Sequence, residues 1–431
     1  MELQKMSENQ TWSLEMSEFA RKTDNPLRKI WESPNNIPNP LIKLITLQIG
    51  DPTVFKNFLA APETKEAIKK ALEHDNFSYT VSPGLESSRE AVAQYVNKNY
   101  ESLTILKDLQ PLTSKDVILA SGCSMALEMC FRVLANPGDN ILLPQPCWGY
   151  STWIVGCGID VRYYNLDPMR EWEVDLDHLE SMINENTKAI LINNPGNPCG
   201  NVYSKEHLLD ILKVAERHML PIIADEVYEF FTFPGVQFYP LAALSKNVPI
   251  LTCSGLTKRF IMPASRMGWI VINDRNNVFS DVRKGLFNIA GRNFWPNSTL
   301  TKALPDILKN TPQKFFDDNS STVYNHALSA YNILKTCAGI IPIMPKGAMY
   351  LMVKIELEKF PKIDTCFDFT QKLLNELSVG VFPGFPCFNF PGFFRIVLTV
   401  PEEMIIEACE RIKQFCEKHC KIDSEKYLKS G

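Results

Sequence analysis

No apolar stretch in the sequence is long enough to cross a bilayer, and no basic run is long enough to track a phosphate backbone. Neither a membrane nor a nucleic acid is therefore an expected partner. Cysteine pairs of the CxxC type are also missing, although twelve cysteines are scattered along the chain. Scattered thiols in a long chain argue against a disulfide framework and for a reducing, cytoplasmic compartment. Cys416, His419 and Cys420 come nearest to a metal cluster. They fall in a stretch, Glu407 to Lys421, that reads as an amphipathic helix with no second half-site, so no metal is expected. The N-terminus carries Glu2, Glu8 and Glu15 around no apolar core, unlike a secretory signal, and residues 1–17 read as a disordered segment. No organellar address is legible, which leaves a mitochondrial location open. Internal repeats and low-complexity tracts are absent too.

What is present is an ordinary globular composition, 45% hydrophobic and 22% charged with a net charge of -4, in a chain of 431 residues. That length exceeds one small core and predicts a large domain with a smaller companion. Short, continuously apolar runs recur at Val117–Ala120, Ile141–Leu143, Ala189–Ile192, Pro221–Ala224, Ile250–Cys253 and Trp269–Ile272. Continuous rather than alternating hydrophobicity is what a strand buried on both faces requires. Helical patterns lie between them, such as Ser124 to Leu134 and Lys205 to Arg217, the latter with Ser204 placed as N-cap. The alternation predicts an α/β domain with a mainly parallel sheet over residues 76–310. An N-terminal arm, 18–75, precedes it and contributes part of the smaller domain, most of which is 311–431.

In such sheets ligands gather at the carboxyl ends of the strands. Polar clusters follow four of the runs directly: Ser121-Gly122-Cys123, Asn193 to Asn197, Asp225-Glu226, and Ser254 to Lys258. Four clusters at four strand ends converge on one site. Lys258, just past a strand and facing a desolvated pocket, suits a nucleophile toward a carbonyl, although an exposed loop lysine would look the same. The neighbouring Ser254, Gly255 and Thr257, with Arg266, suit a phosphate. Asp225 ends a buried run, and a buried carboxylate stays ionised only beside a cation. The protonated nitrogen of a pyridine ring is one such cation, and helix capping is the plainer alternative. Tyr228 follows three residues on, within reach of a ring hydroxyl if a turn intervenes.

The Ser121–Cys123 turn offers helix N–H groups to an anion, with Gly122 admitting a close approach. Asn197 sits in a rigid turn with two Asn-Pro steps, free to present its amide to a ligand. Arg395, in the apolar run Phe393 to Thr399, wants a carboxylate, either internal or from a substrate. Trp148 and Tyr150 are both candidates to stack on a flat cofactor.

These residues carry a family signature. The chain resembles the class I aminotransferases of the pyridoxal-phosphate fold type I group, and among them the branch acting on tyrosine. The resemblance runs from about Ser17 to Cys420 and includes Ile49–Phe55, Asn194–Gly200, Ala224–Tyr228, Gly255–Lys258, Arg266–Trp269, Gly347–Met352 and Arg395. It implies a large domain with a mainly parallel seven-stranded sheet, a smaller α/β domain, and pyridoxal 5′-phosphate as cofactor. It further implies that Lys258 carries the cofactor and moves the substrate proton, and that Asp225 pairs with the pyridine nitrogen. Asn197 and Tyr228 would donate to the ring oxygen, and Arg266 with Ser121, Gly122, Cys123 and Ser254 would cradle the phosphate. Arg395, beside Gly50 and Asn197, would anchor the substrate carboxylate. Tyr79 would reach the cofactor of a neighbouring subunit, making a homodimer with shared sites.

Three departures stand out. The stretch after Pro146 is one residue short, Ile261 differs within the lysine motif, and Gly291–Asn297 is unlike the branch near the substrate side chain. The implied reaction is ping-pong transfer of an amino group from an aromatic L-amino acid, tyrosine first, to a 2-oxo acid such as 2-oxoglutarate. A broader or different specificity (alanine, methionine, phenylalanine), a carbon–sulfur lyase, a cyclopropane-forming synthase and a non-enzymatic cofactor-binding regulator are the alternatives.

Overall fold

The computed structural model describes residues 14–34, 36–73, 78–101, 103, 110–292 and 296–421. Two short helices come first, Glu18–Lys22 and Pro26–Trp31. The second starts where its sequence says it should. The Asn25 side chain accepts from the amides of Leu27 and Arg28, and Pro26 occupies the first turn, where its missing N–H is no loss. A two-residue strand, β1 (Ile45–Thr46), follows.

The large sheet is built from β2 (Val117–Ala120), β3 (Asn140–Gln145), β4 (Asp160–Asp167), β5 (Glu173–Val174), β6 (Thr187–Asn193), β7 (Ile222–Asp225), β8 (Ile250–Gly255) and β9 (Gly268–Asn273). Their order is β2-β9-β8-β7-β6-β3-β4-β5. The stretch from β8 to β4 is parallel throughout, whereas β9 runs antiparallel to both of its neighbours and β5 antiparallel to β4. The sheet is thus mixed but mainly parallel, with eight strands where seven were expected. The additional edge strand is β5, two residues long, formed as the chain turns back after Asp167.

Successive residues of the buried strands enter opposite cores. Ile118 and Ala120 pack on one side of the sheet, Val117 and Leu119 on the other. This is why the strands read as unbroken apolar runs. The helix Cys123–Leu134 covers the first face, and Glu86–Glu101 with Lys205–Arg217 covers the second. Ser204 caps the last of these, its hydroxyl accepting from the His207 amide.

Beyond the 22-residue helix Gln313–Leu334 lie β10 (Ile340–Ile343), β11 (Tyr350–Ile355), β12 (Val379–Gly380), β13 (Phe382–Pro383) and β14 (Phe393–Val397). Four of them form an antiparallel sheet in the order β10-β11-β14-β13, while β12 pairs in parallel with β1. The final helix, Glu402–His419, takes in the amphipathic stretch that begins at Glu407. His419 there bonds Glu376 at 2.8 Å. No helix among the described residues is long and apolar enough to cross a membrane.

Candidate active site

The carboxyl ends of β2, β6, β7 and β8 face a cavity of about 590 Å³, closed on other sides by β11, β14, the loop Gln48–Asp51 and the helix Pro26–Trp31. Asp225, the last residue of β7, is buried at its wall with only 5% exposed. Its carboxylate accepts from the Tyr150 hydroxyl at 2.6 Å, from the Val227 amide at 3.2 Å and from the Cys123 thiol at 3.7 Å. All three donors are neutral. Burial accordingly raises the Asp225 carboxyl above its ordinary value, and these hydrogen bonds pull it back only in part. A cation placed in the cavity would complete the pair.

Beside that wall, Gly122 turns β2 into the helix Cys123–Leu134 with φ +87, and the helix start has no side-chain cap. Its first residues, Cys123 and Ser124, line the cavity. Arg266 lies against this end and donates to the Ser121 carbonyl at 3.2 Å. A Cβ on Gly122 would run into the Arg266 guanidinium, and one on Gly268 into the backbone of Gly122 and Cys123. Open helix amides beside an arginine, reached only because glycines leave room, form a fitting cradle for a phosphate. The Thr257 hydroxyl, also in the cavity wall, is buried with no hydrogen-bond partner among the described residues.

The amine of Lys258 donates to the Gly50 carbonyl at 2.5 Å. Two residues earlier, the Gln48 carbonyl accepts from Arg395 Nη2 at 2.9 Å. Arg395 Nη1 donates to the Asn197 side-chain oxygen at 2.8 Å, while its Nε is buried with no hydrogen-bond partner among the described residues. The guanidinium lies over the rings of Tyr350 and Phe388, 4.4 and 4.7 Å from their centroids. Among the described residues no acidic side chain pairs with it, so the internal partner left open by the sequence is not there. Burial lowers its proton affinity, the direction expected of a cation held ready for an incoming anion. Tyr228 completes the wall, its hydroxyl 2.6 Å from that of Tyr350.

Most residues singled out in the sequence therefore meet here, with three qualifications. Ser254 points away. Its neighbour Cys253 faces the Asp225 side of the sheet, and strand alternation sends Ser254 to the other, where its hydroxyl donates to Glu229 at 3.0 Å. Thr257 holds the place in the cavity wall expected of it. Tyr79 is 87% exposed and does not line the cavity of its own chain. Of the two aromatic candidates, Tyr150 is committed through its hydroxyl to Asp225, whereas Trp148 lines the cavity with its ring packed on Trp153, centroids 4.8 Å apart.

Sequence reasoning missed Tyr350 and the helix Pro26–Trp31, which contributes Leu27, Arg28 and Trp31 to the cavity. Asn25-Pro26 is a helix-start signal that could have placed the helix along the chain, but nothing in it says where the helix docks. Of the unusual segment Gly291–Asn297, residues Asn293 to Trp295 lie outside the described residues.

One group meets these demands together. Pyridoxal 5′-phosphate has a phosphate, a ring nitrogen that is protonated beside a carboxylate, a ring hydroxyl, and an aldehyde that a lysine amine captures. The protein is of the class that uses it. More narrowly, residues 42–412 match the sequence model of the family described as aminotransferase class I and II, and the chain belongs to that family. It is 46% identical over 411 residues to the tyrosine aminotransferase of Mus musculus, covering 95% of this chain and 88% of that one. The tyrosine aminotransferase of Dictyostelium discoideum is 42% identical over 417 residues, covering 95% and 98%. Among solved structures, tyrosine aminotransferase from Leishmania infantum superposes with a TM-score of 0.90 at 30% identity, over 96% of this chain and 100% of that one. Alanine aminotransferase from Pyrococcus furiosus gives 0.84 at 28% identity, over 94% and 100%.

Proposed function

We propose that the chain transfers the amino group of an aromatic L-amino acid, tyrosine first, to a 2-oxo acid such as 2-oxoglutarate, each in turn at the same site. The observation that carries the substrate is the likeness to tyrosine aminotransferases along almost the whole chain. Leu27, Leu127, Trp31, Trp148 and Trp153 in the cavity wall support an aromatic side chain, and Arg28 in the same wall offers a second cation to a dicarboxylate acceptor.

The geometry supports the following residue roles. Arg395 takes the substrate carboxylate, matching its two oxygens with a planar fork whose Nε is still unsatisfied. Lys258 and Arg395 grip the same stretch, Gln48–Gly50, so a carboxylate on Arg395 brings the α-carbon toward the lysine amine. The Lys258 amine removes the α-proton and later returns it. When bound, pyridoxal 5′-phosphate supplies a cationic ring that accepts the electron pair left behind. Asp225, oriented by Tyr150, keeps the ring nitrogen protonated. Asn197 and Tyr228 donate to the ring oxygen, Trp148 stacks on the ring face, and Arg266 with the Ser121–Cys123 turn and Thr257 holds the phosphate. Gly50 keeps its backbone close to the substrate because it has no side chain.

A homodimer with shared sites belongs to this reading, Tyr79 of each chain reaching the partner's phosphate, and Tyr79's exposure supports it. Cytoplasmic residence is supported by the twelve cysteines, all free thiols.

The test is the visible absorption of the cofactor-loaded protein on addition of L-tyrosine alone. A band lost with tyrosine and restored by 2-oxoglutarate is the expected result. A band that ignores tyrosine but answers to alanine, methionine or aspartate would replace the substrate. Turnover of the amino acid without any acceptor would replace transamination by a lyase.

A further inference from the structure

Tyr350 belongs to none of the roles above, yet it touches two residues that have them. It sits in β11, only 2% exposed, and lines the cavity. Its ring carries the Arg395 guanidinium 4.4 Å from the centroid. Its hydroxyl is 2.6 Å from that of Tyr228, with the two rings nearly perpendicular at 82°. A Cβ on Gly50 would come within 2.9 Å of the same hydroxyl oxygen, so the glycine whose carbonyl holds the lysine amine also leaves room for it.

Each phenol has one proton, so in a buried pair one must donate and the other accept. Burial and the neighbouring Tyr350 push the Tyr228 phenol well above its ordinary value and keep it protonated. If Tyr228 gives its proton to a ring oxygen, it has only lone pairs to offer Tyr350. The direction of the pair is then fixed.

We propose that Tyr350 is a positioning residue that donates its hydroxyl to Tyr228, so aiming and strengthening the bond from Tyr228 to the cofactor's ring oxygen, while its ring face separately supports Arg395. The inference rests on the reading of Tyr228 as that oxygen's donor. A chain of two hydrogen bonds polarises each member, so the second bond is stronger than Tyr228 alone would make it. A stronger donor favours the anionic ring oxygen, and the proton held at the Lys258 nitrogen of the loaded enzyme is then lost at lower pH. The other charged or titratable groups facing the pair are Arg395 over the Tyr350 ring, Lys258 with its amine 6.0 Å from the Tyr228 centroid, and Asp225. Tyr350→Phe removes none of these charges.

The two functions of Tyr350 separate by substitution. Tyr350→Phe keeps the ring and deletes the donor. The midpoint of the pH-dependent visible band of the loaded protein should rise by about 0.5 unit, the scale of one hydrogen bond of modest net strength. The turnover number should fall about threefold with KM for the amino acid unchanged. Tyr350→Leu deletes the ring face as well and should raise KM about thirtyfold, the scale of a desolvated cation–π contact. Tyr228→Phe sets the reference: it should move the midpoint further in the same direction, and Tyr350→Phe added to it should move it no more. A midpoint unmoved by Tyr350→Phe but moved by Tyr228→Phe overturns the proposal and leaves Tyr228 in its role. A midpoint unmoved by either overturns both. An additive double variant would also overturn it, since Tyr350 would then act other than through Tyr228.

Discussion

At the scale of single residues, the surroundings of Arg395 define its duty closely. A guanidinium buried under two aromatic rings, bonded only to neutral oxygens and with Nε unsatisfied, would be costly unless an anion arrives. Arg395→Lys keeps the charge but loses the fork. KM for the amino acid should rise about tenfold to a hundredfold, the equivalent of one charge-assisted hydrogen bond at roughly 1.5–3 kcal/mol. Turnover at saturation should fall less, and steady-state kinetics read both. The place of Arg395, Asp225 and Lys258 at one cavity was legible in the sequence because each is an ionisable residue in or directly beyond an apolar run, where it needs a reason to be. Ser254 was not legible in the same way. A hydroxyl residue at a strand end can face either side of the sheet, and only the register of β8, with Cys253 toward Asp225, sends Ser254 to Glu229. Trp148 and Tyr150 were inseparable for a related reason, since two aromatics in one turn differ only in where the backbone aims them.

The elements show which patterns report on structure. The buried strands were found because both of their faces are apolar, and β2 coincides with the run Val117–Ala120. β4 was passed over because only Tyr164 and Leu166 are buried along Asp160–Asp167, and β5 is too short to leave a pattern. Where β2 gives way to a helix, Gly122 combines a φ of +87 with a Cβ position occupied by Arg266. Gly122→Ala would strain the turn by about 1–2 kcal/mol and push the guanidinium off the helix end, so cofactor affinity should fall about tenfold or more, as measured by equilibrium dialysis.

Behind β7 the same strand end bears a different burden. Glu226 follows Asp225, is 3% exposed, and accepts from the Leu241 amide at 2.8 Å, with no cation bonded to it among the described residues. Burial pushes its carboxyl up to about 8. A carboxyl raised in the folded state binds a proton that the unfolded chain has already lost. Its stabilising share is therefore whole below the unfolded value near 4.5 and is lost as pH rises toward about 8. Glu226→Gln removes that dependence. Its stability relative to the parent should grow by roughly 3 kcal/mol between about pH 5 and pH 8, followed by urea unfolding at each pH. Equal gains at the two pH values would mean that Glu226 is not protonated in the fold.

At the scale of the whole molecule, one chain supplies a cavity with its lysine, carboxylate and arginine, while the tyrosine implied for the phosphate stands on the outside. The substrate side chain was the least legible feature for a similar reason. The cavity wall is assembled from residues as distant as Trp31, Trp153 and Phe382, and no local motif records such a meeting. If two chains complete each other's sites through Tyr79, damage in one can be answered by the other. Lys258→Ala homodimers lack the amine in both sites and should be inactive. Tyr79→Ala homodimers should bind cofactor weakly and lose most activity when cofactor is limiting. In a hybrid of the two, one site pairs an intact Lys258 with the partner's intact Tyr79, and the other lacks both. Refolding the variants together in equal amounts should therefore restore about a quarter of the parent's active sites, half of the dimers being hybrids with one good site each. Activity that stays at the average of the two separate variants would mean that each chain completes its own site, and Tyr79 would lose its role.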